Sequence, residues 1–466
     1  MTRAVAPCPV WIVTVLGLCL SAAAAPATAP RPLRELDDVP APPADRVVAI
    51  VGATLVDGTG GPAVPDSAVV VRGDKIIAAG PRSKVPAPAG AEVVDAAGLT
   101  LLPGLIDSHF HLDNRDDRPG VFLRHGVTAV RDPGAYIEAY ARVRAAAKAG
   151  EPIPRLFLTG PHLDCPPPAF PKDAVLVTTP DEVRAAVNRA ADAGAVAIKV
   201  YFRLAPELIP VATAAAHARG VPVTAHLELV PAVDAIAAGV DGIEHVTSFG
   251  TSLAEPEVAR RHEAAVRASN AARGEGRFEL WAGLDFTDPA RCPRLKPTLD
   301  VAVSHHVVLC PTLAVFELRA GDKKATPAKV RAYENMLKFT GLYHRAGGTV
   351  VVGSHSEVPH AEYGWAYARE CELLVEAGLT PAEVIVAATL NNARYHRSAE
   401  RLGSVEPGKQ ADLLLVAGDP LKDISALRQV RRVMLNGVWV NLNPAKPTTR
   451  EMLKPVAPSG TRPADR

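Results

Sequence analysis

The chain has 466 residues, 48% of them hydrophobic and 5% aromatic, and its 51 basic and 50 acidic residues leave a formal net charge of +1. Balanced charge excludes nucleic-acid or anionic-membrane binding through bulk electrostatics, and ample apolar content excludes a disordered chain. At roughly 100–200 residues per domain, the length suits two domains or one large barrel with an accessory domain, with a core that needs neither disulfide nor metal as a staple.

Residues 1–24 read as a secretory signal peptide. Arg3 supplies a basic start, residues 10–20 (VWIVTVLGLCL) form an apolar run too short to span a bilayer comfortably, and small residues ending near Ala24 offer a cleavage site before Pro26. This predicts a secreted or periplasmic protein with no stable membrane insertion after cleavage; an uncleaved anchor is the competing reading. Residues 25–45 are rich in Pro and Ala and read as a linker.

The next runs, 47–51, 67–71 and 75–79, are short and apolar or alternating. Gly58-Thr59-Gly60-Gly61 and Gly73-Asp74 separate them, as turns separate antiparallel strands. Residues 411–416, 430–435 and 438–440 repeat the style, and Asn436-Gly437 between two apolar runs is a hairpin signal. The two ends therefore predict one small composite β-sandwich domain, 46–103 with 400–443, followed by a flexible tail, 444–466.

Between them the chain alternates strands with helices. Strand candidates are 101–106, 127–131, 155–159, 195–201, 221–225, 242–245, 307–311 and 349–353, each apolar and rich in β-branched residues, as doubly buried parallel strands are. Thr179-Pro180-Asp181-Glu182 and Thr380-Pro381-Ala382-Glu383 are complete helix starts, with Thr at the N-cap, Pro at N1 and Glu closing a capping box. Eight such strands predict an α/β fold, a (β/α)8 TIM-like barrel over 104–399, with a charged, partly helical insertion at 247–306. Of the cysteines beyond the signal, Cys165, Cys292, Cys310 and Cys371, none forms a C-x-x-C pair. A Cys165–Cys292 disulfide is conceivable in an exported protein, but four thiols is the simpler reading.

Chemistry in such a barrel sits at the C-terminal strand ends. His109 and His111 follow the first strand, and alternation puts both on one face. Lys199 lies in the fourth, His226 ends the fifth, His245 the sixth and His355 the eighth. Singly, these could be polar strand-end residues, satisfied core histidines and a snorkelling lysine. Together they suggest a divalent metal, because neutral imidazole is the usual nitrogen ligand. Lys199, between Ile198 and Val200, is costly to bury as an ammonium, and carbamylation by CO2 would turn it into a bridging carboxylate.

Leu102-Pro103-Gly104-Leu105-Ile106-Asp107-Ser108-His109-Phe110-His111 resembles the strand-one signature of the amidohydrolase superfamily, and Gly403-Ser404-Val405-Glu406-Pro407-Gly408-Lys409-Gln410-Ala411-Asp412-Leu413 resembles its return to the β-domain. The branch that looks closest is imidazolonepropionase-like and prolidase-like. The resemblance implies two divalent metal ions, zinc by expectation, bridged by hydroxide and held by His109, His111, a carbamylated Lys199, His226 and His245. It also implies a metal-activated attack on a substrate carbonyl, with an aspartate at the end of strand eight carrying the proton.

Here the sequence departs from that pattern, with Gly353-Ser354-His355 where the family has Gly-Thr/Ser-Asp. Three readings follow: His355 is a working replacement, Glu357 supplies the carboxylate, or catalysis is lost; retained hydrolysis is the expectation. Tyr201 resembles a substrate-carboxylate contact of prolidase-like members, against a packing tyrosine. His162 is a candidate substrate-orienting group, against a plain loop histidine, and Glu228 is expected to give the pocket a negative wall. Asp132 reads as a supporting residue or turn cap. The expected activity is hydrolysis of an amide or peptide C–N bond in dipeptides or N-acyl amino acids. Hydrolysis of lactones or cyclic amides is one alternative, and a non-catalytic metal- or ligand-binding barrel is another. The expected partner is a small molecule or short peptide, and homo-oligomers remain open.

Overall fold

The computed structural model describes residues 32–443. The expected signal peptide and cleavage site, the start of the expected linker and the expected 444–466 tail lie outside the described residues.

Strands from both ends of the chain come together in two sheets. One sheet has the order Lys75–Pro81, Ser67–Arg72, Val47–Val51, Glu92–Asp95, and the other Val438–Trp439, Val430–Leu435, Leu413–Ala417, Leu99–Pro103, Thr54–Leu55. Alternation turns Val48, Ile50, Val69 and Val71 of the first sheet toward Leu101, Leu413, Leu415 and Met434 of the second, and these form one apolar core. Asn436 and Gly437 both have positive φ, 51° and 79°, as a two-residue hairpin turn requires.

The expected strand 101–106 is two strands. Leu99–Pro103 pairs antiparallel with Leu413–Ala417 in the β-domain, whereas Leu105–Asp107 pairs in parallel with Val127–Asp132. The switch falls at Gly104, whose missing Cβ would collide with the Thr128 side chain, so only glycine lets the chain cross so closely.

The remaining strands are parallel and fall in two sheets. One contains Leu105–Asp107, Val127–Asp132 and Arg155–Leu158. The other runs Ala174–Leu176, His162–Asp164, Ile198–Val200, Val223–Ala225, Gly242–Glu244, Val308–Cys310, Thr349–Val350. Backbone hydrogen bonds from Val196 N to Leu158 O (2.9 Å) and from Ser108 N to Val352 O (3.0 Å) cross the two seams. The short pair His162–Asp164 and Ala174–Leu176 carries too few residues to show a period. Both expected capping boxes form, at Thr179 and Thr380. The insertion supplies helices Pro256–Ala268, Ala272–Ala282 and Leu295–Ser304. Cys165, Cys292, Cys310 and Cys371 are free thiols. Among the described residues, no helix is long and apolar enough to cross a membrane.

Residues 32–45 are not a loose linker. Leu33 is buried among Ile106, Ala129, Phe157, Val196 and Leu402, and Leu36 N donates to Leu156 O (2.9 Å). Glu35 meets Arg155 at 2.5 Å and Arg401 at 2.6 Å, and Arg155 continues to Asp412 at 2.7 Å, which ties the segment to both domains. Burial would raise the Glu35 carboxyl, but the Arg401 hydrogen bond and the charges of Arg155 and Arg401 outweigh it and hold the group down at about 2. A depressed carboxyl contributes stability that is complete above the ordinary value of 4.5 and is lost as pH falls toward 2. Wild-type and Glu35→Gln unfolding free energies are therefore expected to converge by about 3 kcal/mol between pH 5 and pH 2. Denaturant titrations across that range check this, and parallel curves would refute it.

Candidate active site

The C-terminal ends of the parallel strands open into a cavity of about 560 Å³ lined by His109, His111, Lys199, His226, His245 and His355. His109 Nε2 lies 3.2 Å from His111 Nε2, and the nitrogens of His109, His111 and His355 lie within 4.8 Å of one another. His245 bridges to the other members, with ring centroids 4.6 Å from His109 and 4.4 Å from His226. All five predicted histidine positions thus converge on one cavity, with Lys199 beside them.

Close packing at strand eight makes this convergence fit. Gly353 sits where a Cβ would strike Cys310 Sγ and His109 Cβ, and His355 then adopts a left-handed φ of 57° while its N–H donates to His109 O (2.7 Å). Ser354 is tied to the buried Asp107 through its N–H (3.0 Å) and its hydroxyl (2.5 Å).

The histidines suit a cation. Burial lowers His109 to about 3 despite the Glu244 carboxylate beside it, and lowers His226 to about 4 despite Glu228. Burial, reinforced by neighbouring positive groups, drives His245 and His355 well below their ordinary value. The four rings are therefore neutral and keep lone pairs to offer. Burial also lowers Lys199, to about 8, against the raising effect of Glu244, which favours the free amine that reacts with CO2.

Behind His109 stands a carboxylate whose role sequence reasoning missed. Glu244, fully buried, accepts from His109 Nδ1 (2.6 Å), from Thr224 Oγ1 (2.5 Å) and from Arg131. Burial would raise it, but Arg131, Lys199 and His109 hold it well below the carboxylate range. This fixes the His109 ring with Nε2 toward the cavity, the usual support of a metal-binding histidine. The donor set thus fits a divalent ion. Asp132 caps the turn after its strand, accepting from Gly134 N and Ala135 N at 3.0 Å each, and also accepts from the Tyr140 hydroxyl at 2.8 Å.

Two predicted residues stand elsewhere. Glu357 is outside the cavity and largely exposed, paired with Arg118 at 2.8 Å, so it does not supply the missing carboxylate. Consecutive left-handed residues, His355 and Ser356 (φ 65°), break the alternation that would have put Glu357 on the side of His355. Glu228 is buried behind the wall rather than on it, meeting Arg277 at 2.5 Å and the Nε2 atoms of His226 and His262 at 3.3 Å each. The wall there is instead cationic, with Arg273 and Arg277 from the insertion helix and Lys172. Tyr201 and His162 both line the cavity, ring centroids 4.2 Å apart, and His162 Nε2 is buried without a hydrogen-bond partner.

A chain whose parallel strands gather histidines and a lysine at one mouth, with a β-domain from both ends, has the architecture of a metal-dependent hydrolase. The sequence profile of the amidohydrolase family matches residues 100–440, and the chain belongs to that family. It is 51% identical over 78 residues to an N-acyl-D-aspartate deacylase of Alcaligenes xylosoxydans xylosoxydans, covering 17% of this chain and 14% of that protein. It is 45% identical over 69 residues to an imidazolonepropionase of Streptomyces griseus subsp. griseus, covering 15% of this chain and 17% of that protein. These matches therefore span under a fifth of either curated relative. A solved structure of a candidate prolidase from Bifidobacterium longum aligns much further, with TM-score 0.66 and 26% identity over 88% of this chain and 98% of that one. The similarities point to the prolidase-like and imidazolonepropionase-like branch of the superfamily.

Proposed function

We propose that the protein is an exported, metal-dependent amidohydrolase, a closed (β/α)8 barrel that cleaves the C–N bond of dipeptides or N-acyl amino acids. The observation that carries this reading is one cavity holding both a cluster of neutral imidazoles and the unpartnered Nε2 of His162. His109, His111 and His355, with His226, His245 and Lys199 as its carbamate, would hold two divalent ions, zinc by preference. Such ions, when bound, bring the pKa of water toward neutrality and polarise a carbonyl. His162 donates from Nε2 to the substrate carbonyl oxygen and is held in plane by Tyr201. His355, at the end of strand eight, moves the proton to the leaving nitrogen, the work of a carboxylate elsewhere in the family. Export rests on Arg3, the apolar run at 10–20 and the small residues after it.

The test is mass-spectrometric depletion of a pooled dipeptide and N-acyl amino-acid library by mature protein loaded with zinc and bicarbonate. Wild type is expected to deplete carboxylate-ended members, and His355→Ala to lose about 10²–10⁴-fold in rate. An inert wild type whose His355→Asp variant turns over would overturn the reading in favour of a binding barrel.

A further inference from the structure

The cavity that holds the histidines is also lined by a guanidinium without a carboxylate partner, that of Arg273. Several other arginines in and around the barrel have carboxylates of their own. Arg131 has Glu244, Arg118 has Asp113 at 2.7 Å, Arg155 has Asp412 at 2.7 Å, and the neighbouring Arg277 has Glu228 at 2.5 Å. Among the described residues, no carboxylate forms an ion pair with Arg273, and its Nη1 is buried without a hydrogen-bond partner. Two rings hold the group in place, with its Cζ 4.8 Å from the centroid of Phe170 and 5.3 Å from that of Phe202. Stacked in this way, a guanidinium keeps its edge free for a planar, two-point acceptor. Arg273 lines the cavity beside Tyr201, so that edge belongs to the same space as the histidines.

A half-buried cation without a counter-ion carries a desolvation cost, and a bound anion removes it. A carboxylate matches the fork of the guanidinium bidentately, and a C-terminal amide does not. We propose that Arg273 is the specificity residue that recognises the α-carboxylate of the substrate's C-terminal amino acid, so that the site selects free acids over C-terminal amides. This rests on the amide-hydrolase reading above and adds which end of the substrate is read, and by which residue. Arg277, also on the cavity wall, already has its counter-ion in Glu228.

Calorimetric titration of zinc-loaded full-length protein with N-acetylglycine, N-acetylglycinamide and N-acetylaspartic acid α-amide tests this alongside hydrolysis of the matching dipeptides. Wild type is expected to bind the free acid at least about tenfold more tightly than either amide, the scale of one charge-assisted bidentate contact. Arg273→Gln is expected to abolish the preference, and Arg273→Lys to retain part of it, because it keeps the charge but not the fork. A wild type without the preference, a preference that survives Arg273→Gln, or tight binding of the side-chain acid alone would each overturn the proposal. If Arg273→Gln does not fold, the wild-type ratio and Arg273→Lys decide. An Arg273-dependent preference without hydrolysis would sink the amidohydrolase reading and leave this assignment standing. Hydrolysis without the preference would do the reverse.

Discussion

Glu244→Ala is expected to lower the unfolding free energy by about 3–5 kcal/mol, the scale for removing one member of a buried ion pair. The carboxylate is fully buried and answers three donors at once: the Arg131 guanidinium, the Thr224 hydroxyl and His109 Nδ1. Its removal leaves Arg131 as an uncompensated buried charge, which the Tyr395 ring 4.7 Å away only partly offsets. For a protein whose whole stability lies near 5–15 kcal/mol, that is a large share. Affinity for a divalent metal ion should fall about 10–100-fold as well, because the His109 ring loses the group that orients it. Chemical denaturation and metal analysis after dialysis read the two effects separately. A variant within 1 kcal/mol of wild type that keeps its metal would refute the account.

The second expected result concerns a single methyl group. Gly353→Ala would place a Cβ against Cys310 Sγ and His109 Cβ, with the His109 backbone N only 3.0 Å away. Of these neighbours only the Cys310 side chain can be shortened, because the others are the backbone and stem of a cluster histidine. The strand end must shift, at a cost of about 1–3 kcal/mol for overpacking. His355, hydrogen-bonded to His109 O, shifts with it. A displacement near an ångström is worth about 10²-fold in rate, so kcat/KM should fall by that order. Replacing Cys310 by alanine in the same chain opens the contact and should restore part of both losses. Full activity in Gly353→Ala alone, or a double variant no better than the single, would show that strand eight does not depend on this contact.

Much of the fold was legible because it is written in local periodicity and turn chemistry. The alternating runs at both ends, the Asn436-Gly437 turn and the Thr179 and Thr380 capping boxes all act over a few residues, and all appear as read. Strand-end position also sufficed for the histidines, since parallel strands direct their C-terminal ends to one mouth. The break at Gly104 was not legible, because it depends on Thr128 across the sheet. Side-chain direction just past the strands was not legible either. Positive φ at His245, His355 and Ser356 cancels the two-residue alternation there, so spacing could not say which way Glu357 turns.

Carboxylates and guanidiniums were the least legible of all, because long charged side chains go to whichever partner the fold brings near. Glu228 spans 49 positions to Arg277, Glu244 spans 135 to His109, and Glu357 spans 239 to Arg118. The chain alone carried the residue types, their periodicity and the order of strand ends. Only the tertiary structure decided which buried charges neutralise one another. By the same pairing it left Arg273, beside the rings of Phe170 and Phe202 in the cavity of the histidines, without a carboxylate of its own.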